Sequence, residues 1–454
     1  MHSSRTPIQL TIGDGKPGGK TLALRNDADV IGRVGFNFPD NIAFTPQFYH
    51  RFLADSGALE ARTYREVQQR VYEHNFSSSE RSLIRDAVQS LPGRTNGLYV
   101  RSDDWPVGTG LWQSYLASAP PGNDGELVLR VEKALKFVLS SDFLPDVLAF
   151  KQKKGLTETV GVLLMPFFGY TIEIKGQTYR SPGVVITYIG KVNGRQFSFR
   201  SEGLSGLQII ETPFDTVLSK PFLDLSSGRK TNLDIPAELA HRGTLDSEVP
   251  ETGKSVQQML NELLNQTGPR YLEIIKDDSS PEWSIVQSAP FNIPAIERPE
   301  VPEDAKVASV KRLFGTGIVR GETIKYNALH IPNSYPGEFG KPIPAIQEID
   351  AFNKQHKDYL LIIQTSTIPA FSGHIELGNF SNASAVLLVV DEMLRGAQGH
   401  LGGRFREFGI PILLALDDKV NGNWLRSLRR TTLQNQKFVV YANEFNSDGF
   451  VALE

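Results

Sequence analysis

The apolar positions of this chain follow two periods, and each period marks a kind of element. KSVQQMLNELLNQTG, residues 254–268, repeats its apolar side chains at helical spacing and stops at Gly268, which predicts a helix with a glycine at its C-terminus. DVLAFKQKKGL, residues 146–156, predicts a second helix. GVVITYIGKV, RQFSFRSEG, RYLEIIKDD and PEWSIVQSAP are rich in β-branched and aromatic residues over strand lengths. The turn-rich KDDSSPE between the last two predicts that they form a hairpin. Further on, SVKRLFGTGIVRGETIKYNAL predicts strands punctuated by glycine, followed by DYLLIIQTSTIP and the uniformly apolar AVLLVV. A short helical pattern then leads to IPILLAL, so the order strand, helix, strand predicts a β-α-β unit whose strands are buried on both faces.

One stretch obeys neither period. FNIPAIERPEVPED, residues 291–304, sets three prolines among charged residues, the pattern of a semi-rigid linker. It divides the chain into residues 1–290 and residues 305–454, an α+β multidomain arrangement.

Composition narrows the function classes. With 454 residues, 40% of them apolar, the chain is long enough for two or three cores. The net charge of −3 and the lack of any basic block argue against a nucleic-acid or membrane-surface role. The absence of cysteine removes disulfides, thiolate metal sites and cysteine nucleophiles together. MHSSRTPIQL lacks the apolar core of a signal peptide, and no apolar run approaches the ~20 residues a membrane helix needs. The expectation is a cytoplasmic protein.

The candidate chemistry centres on His400. After it, Leu401, Phe405 and Phe408 make one helical stripe, Gly409 is a natural stop, and Pro411 cannot continue the helix. His400 therefore falls at the helix N-terminus, where backbone N–H groups and the helix dipole disfavour an imidazolium and favour an anion. A neutral imidazole is nucleophilic, and a phosphoryl group placed on it would meet those donors. The bland alternative is a polar helix cap without chemistry. The other seven histidines show no metal-ligand spacing.

The wider segment DEMLRGAQGHLGGRFREFGIPILLAL resembles the swivelling phosphohistidine domain of the pyruvate phosphate dikinase and phosphoenolpyruvate synthase family, REFGIP standing for that family's RELGIP. IIQTSTIPAF and FGTGIVRGE resemble its Thr-rich turn and its glycine-rich domain opening. Upstream, PGGKTLAL, VGFNFPDNIAFTPQFYHRFL, YVRSDDWP, FLPDVLAFKQKKGL and RYLEIIKDDSSPEWSIVQSAP resemble, in family order, segments of its ATP-grasp nucleotide-binding domain. The resemblance implies an ATP-grasp domain over 1–290 and a swivelling β/β/α phosphohistidine domain over 305–454. It implies that Lys20 and Arg101 hold ATP phosphates, that Glu273 and Gln287 bind ATP and coordinate Mg2+, and that His400 is the catalytic nucleophile. Ser102 and Arg404 are auxiliary candidates, Ser102 beside Arg101 and Arg404 one helical turn after His400.

The chain also departs from the family pattern. Ala289 stands where the family carries a phosphate-contacting arginine, and Gln398 where it carries a threonine two before the histidine. Asp103 and Asp104 put acidic residues near the expected phosphates, Asp103 also suiting a turn, and Met165 takes a position that in the family often lines the nucleotide pocket with a polar group. The family's C-terminal phosphoenolpyruvate or pyruvate barrel is missing from the sequence. The expected function is an ATP- and Mg2+-dependent phosphotransferase of the dikinase type. In it His400 attacks the β-phosphate, AMP leaves, and the phosphoryl group passes to an unidentified acceptor, a small molecule or a partner protein. The alternatives are a catalytically degenerate nucleotide-binding or scaffolding subunit, and an ATP-driven small-molecule ligase.

Overall fold

A computed structural model describes residues 7–103, 112–174, 176–182, 184–192, 195–202, 204–205, 208–211, 222–224, 229–231, 241–244, 253–268, 270–276, 282–290, 296–301, 306–310, 312–314, 317–327, 351–352, 354–365, 382–390, 409–416, 436–443 and 448–453. The chain is an α+β protein with several sheets, and it divides into two compact units. The first comprises Met1–Gly108, Trp112–Val147 and Thr157–Phe291; the second comprises Thr109–Leu111, Leu148–Leu156 and Asn292–Glu454. No helix among the described residues is long and apolar enough to cross a membrane.

The first unit is built on two sheets. One has five strands in the order Gln9–Ile12, Asn41–Phe44, Gly161–Pro166, Leu98–Asp103, Tyr115–Ala117. Its central strand, GVLLMP, is buried along nearly its whole length because both faces are covered. Val162 and Leu164 point into the main core, with Ile42, Phe44, Leu98 and Val100 and the buried residues of the helices Pro46–Asp55, Tyr64–Glu73, Ser78–Ser90 and Asp124–Ser140. Leu163 and Met165, one residue out of phase, point the other way.

The second sheet has the order Ser284–Pro290, Arg270–Lys276, Val184–Val192, Arg195–Glu202, and its strands pair antiparallel. Leu272, Ile274, Trp283 and Ile285 cover one face together with Val256, Met259, Leu260 and Leu263 of the helix Val256–Thr267. That helix starts on a capping box, Ser255 accepting from the Gln258 N–H and Gln258 accepting from the Ser255 N–H, and Gly268 closes it. On the opposite face Ile275 and Val286 meet Ala43, Leu163 and Met165 of the five-stranded sheet. Shorter strands form a four-stranded sheet, from Gly169–Ile174 to Arg229–Thr231, and a three-stranded one, from Leu204–Ser205 to His241–Thr244.

The second unit is organised on an eight-stranded sheet, in the order Lys306–Ser309, Asp448–Leu453, Lys437–Asn443, Gly317–Asn327, Tyr359–Thr365, Ala383–Val390, Ile412–Leu416, Arg312–Phe314. The strands Gly317–Asn327, Tyr359–Thr365, Ala383–Val390 and Ile412–Leu416 pair parallel in succession, and the flanking pairs are antiparallel. Parallel pairing of AVLLVV with ILLAL, Val386 opposite Ile412, is the arrangement a β-α-β unit requires. Gly409 adopts φ +67°, the left-handed backbone expected of a glycine closing a helix. The helix expected over His400 and Arg404 lies outside the described residues.

Part of the stretch expected to act as a linker packs on this eight-stranded sheet. Ile296 and Val301 lie against Val439, Tyr441, Phe450 and Ala452. Arg298 pairs with Asp448 at 3.2 Å and sits 5.5 Å above the Phe450 ring. The two apolar side chains bury against the sheet where a free spacer would leave them in water.

Candidate functional site

Four separate segments of the first unit bring polar side chains together between its two sheets. Alternation along Leu98–Asp103 puts Tyr99, Arg101 and Asp103 on the face opposite Leu98 and Val100, which belong to the main core. The hairpin contributes Glu273 and Gln287, whose Cα positions are directly opposed across the two strands. The register shifts just beyond Glu273, and this bulge sets which side chains of the two strands share a face.

The Arg101 guanidinium spans the gap. It donates to Glu273 Oε2 at 2.7 Å and to Gln287 Oε1 at 3.3 Å, with the Arg101 and Glu273 side chains 21% and 17% exposed. Tyr99 lies close to both members of the pair. Burial pushes its phenol up to about 12, with the Arg101 charge pulling down and the Glu273 charge pushing up.

Lys20 enters from the helix Gly19–Asn26. Its ammonium lies 3.4 Å from Ser102 Oγ and 3.5 Å from the Ser102 carbonyl oxygen, and the residue is 8% exposed. The preceding GGK turn is shaped by the protein itself. A Cβ on Gly18 would lie 1.8 Å from the Asp103 carbonyl oxygen, so only glycine fits so close to the Arg101 strand.

Asp103 does not form a turn. It ends its strand fully buried, and its carboxylate accepts from the Gly18 and Thr21 N–H groups, both at 2.8 Å. The helix Gly19–Asn26 has no side-chain cap of its own, so a carboxylate 85 residues along the chain caps it. Burial raises the Asp103 pKa, opposed by hydrogen bonds from Thr21 and Gly18 and by the Lys20 charge. Asp103 in turn favours the charged form of Arg25, whose guanidinium is otherwise disfavoured by burial and is bonded to Thr11, Asn41 and the Leu10 carbonyl.

The far end of the same helix is tied to the hairpin. Asp27 accepts from Arg270 at 2.9 and 3.2 Å and from Ser288 Oγ at 2.6 Å. This bidentate ion pair joins the element that carries Lys20 to the one that carries Glu273 and Gln287. Sequence patterning singled out neither Asp27, Arg270 and Ser288 nor Tyr99. Strand alternation alone places Tyr99 on the Arg101 face; nothing local marks the other three.

Lys20 therefore meets Ser102, and Arg101 meets Glu273 and Gln287, two groups joined by the adjacent residues Arg101 and Ser102 of one strand, whereas His400 and Arg404 lie outside the described residues. Ala289 is fully buried two residues past Gln287. Met165, expected at the nucleotide pocket, is 1% exposed and packed among Ala43, Leu163, Ile275 and Val286. No set of three or more His, Asp or Glu residues suited to hold a metal occurs among the described residues. The donor pair Glu273 and Gln287, one carboxylate and one amide oxygen, still fits a magnesium ion, which keeps most of its shell as water and substrate phosphate. The sequence matches no protein-family model and no curated protein.

Proposed function

We propose that the chain is a nucleotide-dependent phosphotransferase. On this reading the first unit is an ATP-grasp domain that binds Mg·ATP at Lys20, Arg101, Glu273 and Gln287. The second unit is a phosphohistidine domain whose His400 receives the phosphoryl group. The observation that carries the reading is that the Lys20–Ser102 and Arg101–Glu273–Gln287 contacts converge on one strand from segments as much as 267 residues apart. Fold packing does not need two cations, a carboxylate and an amide gathered about one strand, and desolvating them carries a cost. A triphosphate needs cationic partners that persist through transfer, and a magnesium ion needs hard oxygen donors.

The residues divide the work. Lys20 and Arg101 bind the phosphate oxygens, Arg101 leaving Glu273 to do so. Glu273 and Gln287 hold the magnesium ion, which supplies charge neutralisation on the phosphates when bound. The His400 imidazole forms a bond from ring nitrogen to the β-phosphorus as the bond to the bridging oxygen breaks. AMP departs with that oxygen, the β- and γ-phosphates stay on His400 as a pyrophosphoryl group, and water or inorganic phosphate then removes the γ-phosphate. A second molecule, free or on a partner protein, then takes the phosphoryl group from His400.

A second reading, a nucleotide-binding subunit without transfer, draws on Asp103 at the helix N-terminus, on Ala289, and on Met165 packed in an apolar cluster. One experiment separates the two. Wild type and His400→Ala are incubated with Mg2+ and ATP labelled at the β-position, and acid-labile, alkali-stable label on protein is counted. Phosphotransfer requires label on wild type and none on the variant. Nucleotide binding without label supports the second reading, and equal labelling of both proteins removes His400 from the mechanism.

A further inference from the structure

Asp103 changes the electrostatics of the cluster beyond its role as a helix cap. Lys20, Arg101, Asp103 and Glu273 are two cations and two anions, so their formal charges cancel. Asp103 is fully buried, on the strand face that carries Arg101, and it is electrostatically coupled to Lys20. Buried charges act through a lower effective dielectric than surface ones, so the Asp103 carboxylate, once ionised above its burial-raised pKa, opposes any further anion strongly. Its carboxylate also holds the Gly18 and Thr21 N–H groups, the donors through which a helix start meets phosphate. A metal-free polyphosphate would arrive at a neutral site whose helix end already has an anion. Bound to a divalent cation, the same polyphosphate brings two fewer negative charges and offers Glu273 a partner in place of Arg101.

We propose that Asp103 is a charge-selectivity residue of the candidate site, an internal anion that excludes metal-free polyphosphate and admits a nucleotide only with its charge offset by a divalent cation. This inference rests on the nucleotide-binding reading for the identity of its ligand. It adds a role for a residue whose carboxylate touches protein groups only.

The test is calorimetric titration of the full chain with tripolyphosphate and with ATP, first in EDTA and then in Mg2+. It compares wild type with Asp103→Asn, Asp103→Ser and Asp103→Glu. Asn and Ser each retain an acceptor for the helix N–H groups, and thermal melts establish that each variant is folded. The expected result is a gain of about tenfold in affinity for the metal-free anions in the Asn and Ser variants, weakening as salt is added. Affinity for Mg·ATP changes much less, and Glu behaves like wild type. Asn and Ser variants that bind metal-free anion no more tightly than wild type overturn the proposal, as does a Glu variant that gains as much as they do. Failure is distinguishable from that of the functional reading. A wild type that never binds Mg·ATP removes the nucleotide assignment, while a gain in the variants beside it still sustains the charge selectivity.

Discussion

The Arg101–Glu273 pair offers the sharpest quantitative test of the site geometry. Arg101→Met removes the charge while keeping much of the side chain's bulk, and Glu273→Gln keeps the shape and an acceptor. The pair is 2.7 Å apart with about a fifth of each side chain exposed, so it lies between two limits. An exposed pair contributes about 0–1 kcal/mol, whereas breaking a fully buried one costs about 3–5 kcal/mol. Each single substitution is therefore expected to cost about 2 kcal/mol, because it leaves one charge half-desolvated without its partner. The double variant has no orphaned charge and should cost less than the sum, giving a coupling of about 1–2 kcal/mol. Urea unfolding of the four proteins measures it, and taking differences around the cycle cancels contributions from the second unit. The same cycle in saturating Mg·ATP is expected to show a smaller coupling, since Arg101 then faces phosphate and Glu273 the metal. Additivity within about 0.5 kcal/mol without ligand refutes the pairing described here.

Three further outcomes follow from individual contacts. The Asp103 carboxyl is held above its ordinary 3.8 by burial, so the folded state binds this proton more tightly than the unfolded state. Its contribution is favourable in acid and is lost as pH rises through the folded-state value. The melting temperature of Asp103→Asn relative to wild type should therefore climb as pH rises above about 4, and a flat or falling difference contradicts the burial. Gly18→Ala would drive a Cβ into the Asp103 carbonyl oxygen, a backbone atom that cannot swing aside, and is expected to cost about 2–3 kcal/mol in urea unfolding. Ser255→Ala removes half of the capping box on the helix Val256–Thr267 and should cost about 1 kcal/mol; a loss near zero would mean that this helix end is held by packing alone.

Much of the framework was legible because it rests on local periodicity. The helix ending at Gly268, the hairpin of RYLEIIK and SIVQSAP, and the buried strands AVLLVV and ILLAL all carry their pattern within about a dozen residues. Register was not legible. Glu273 faces Gln287 in a hairpin whose pairing shifts one residue later, and no period reports a bulge. Asp103 looked like a turn residue because Asp favours turns locally, and its real partners lie 82 and 85 residues away. Met165 was expected beside a ligand through family resemblance. An unbroken apolar run such as VLLMPFF says that both faces of a strand are buried, without saying whether protein or ligand covers them. Residues 296–301 sit among the prolines and charges of a spacer, and no local pattern reports that Ile296 and Val301 find partners about 140–155 residues further on.

Two of the differences from the resembling motifs, at positions 103 and 289, act in one direction, and under the proposed reading that direction favours a site altered in its requirements over one eroded at random. An arginine at position 289 would have added a cation two residues from Gln287; alanine there removes it. Aspartate at position 103, where the resembling motif has a serine, adds an anion on the Arg101 face. Together the two changes make the site more negative by two charges, which is the charge a magnesium ion carries. Random loss would be expected to leave some member of the cluster without a partner, which burial penalises. Instead Arg101 spans to Glu273 and Gln287, Lys20 rests on Ser102, and Asp103 caps the helix that carries Lys20. On the proposed reading, a cluster balanced in this way is closed to bare anions, and a divalent cation on Glu273 would free Arg101 to bind phosphate.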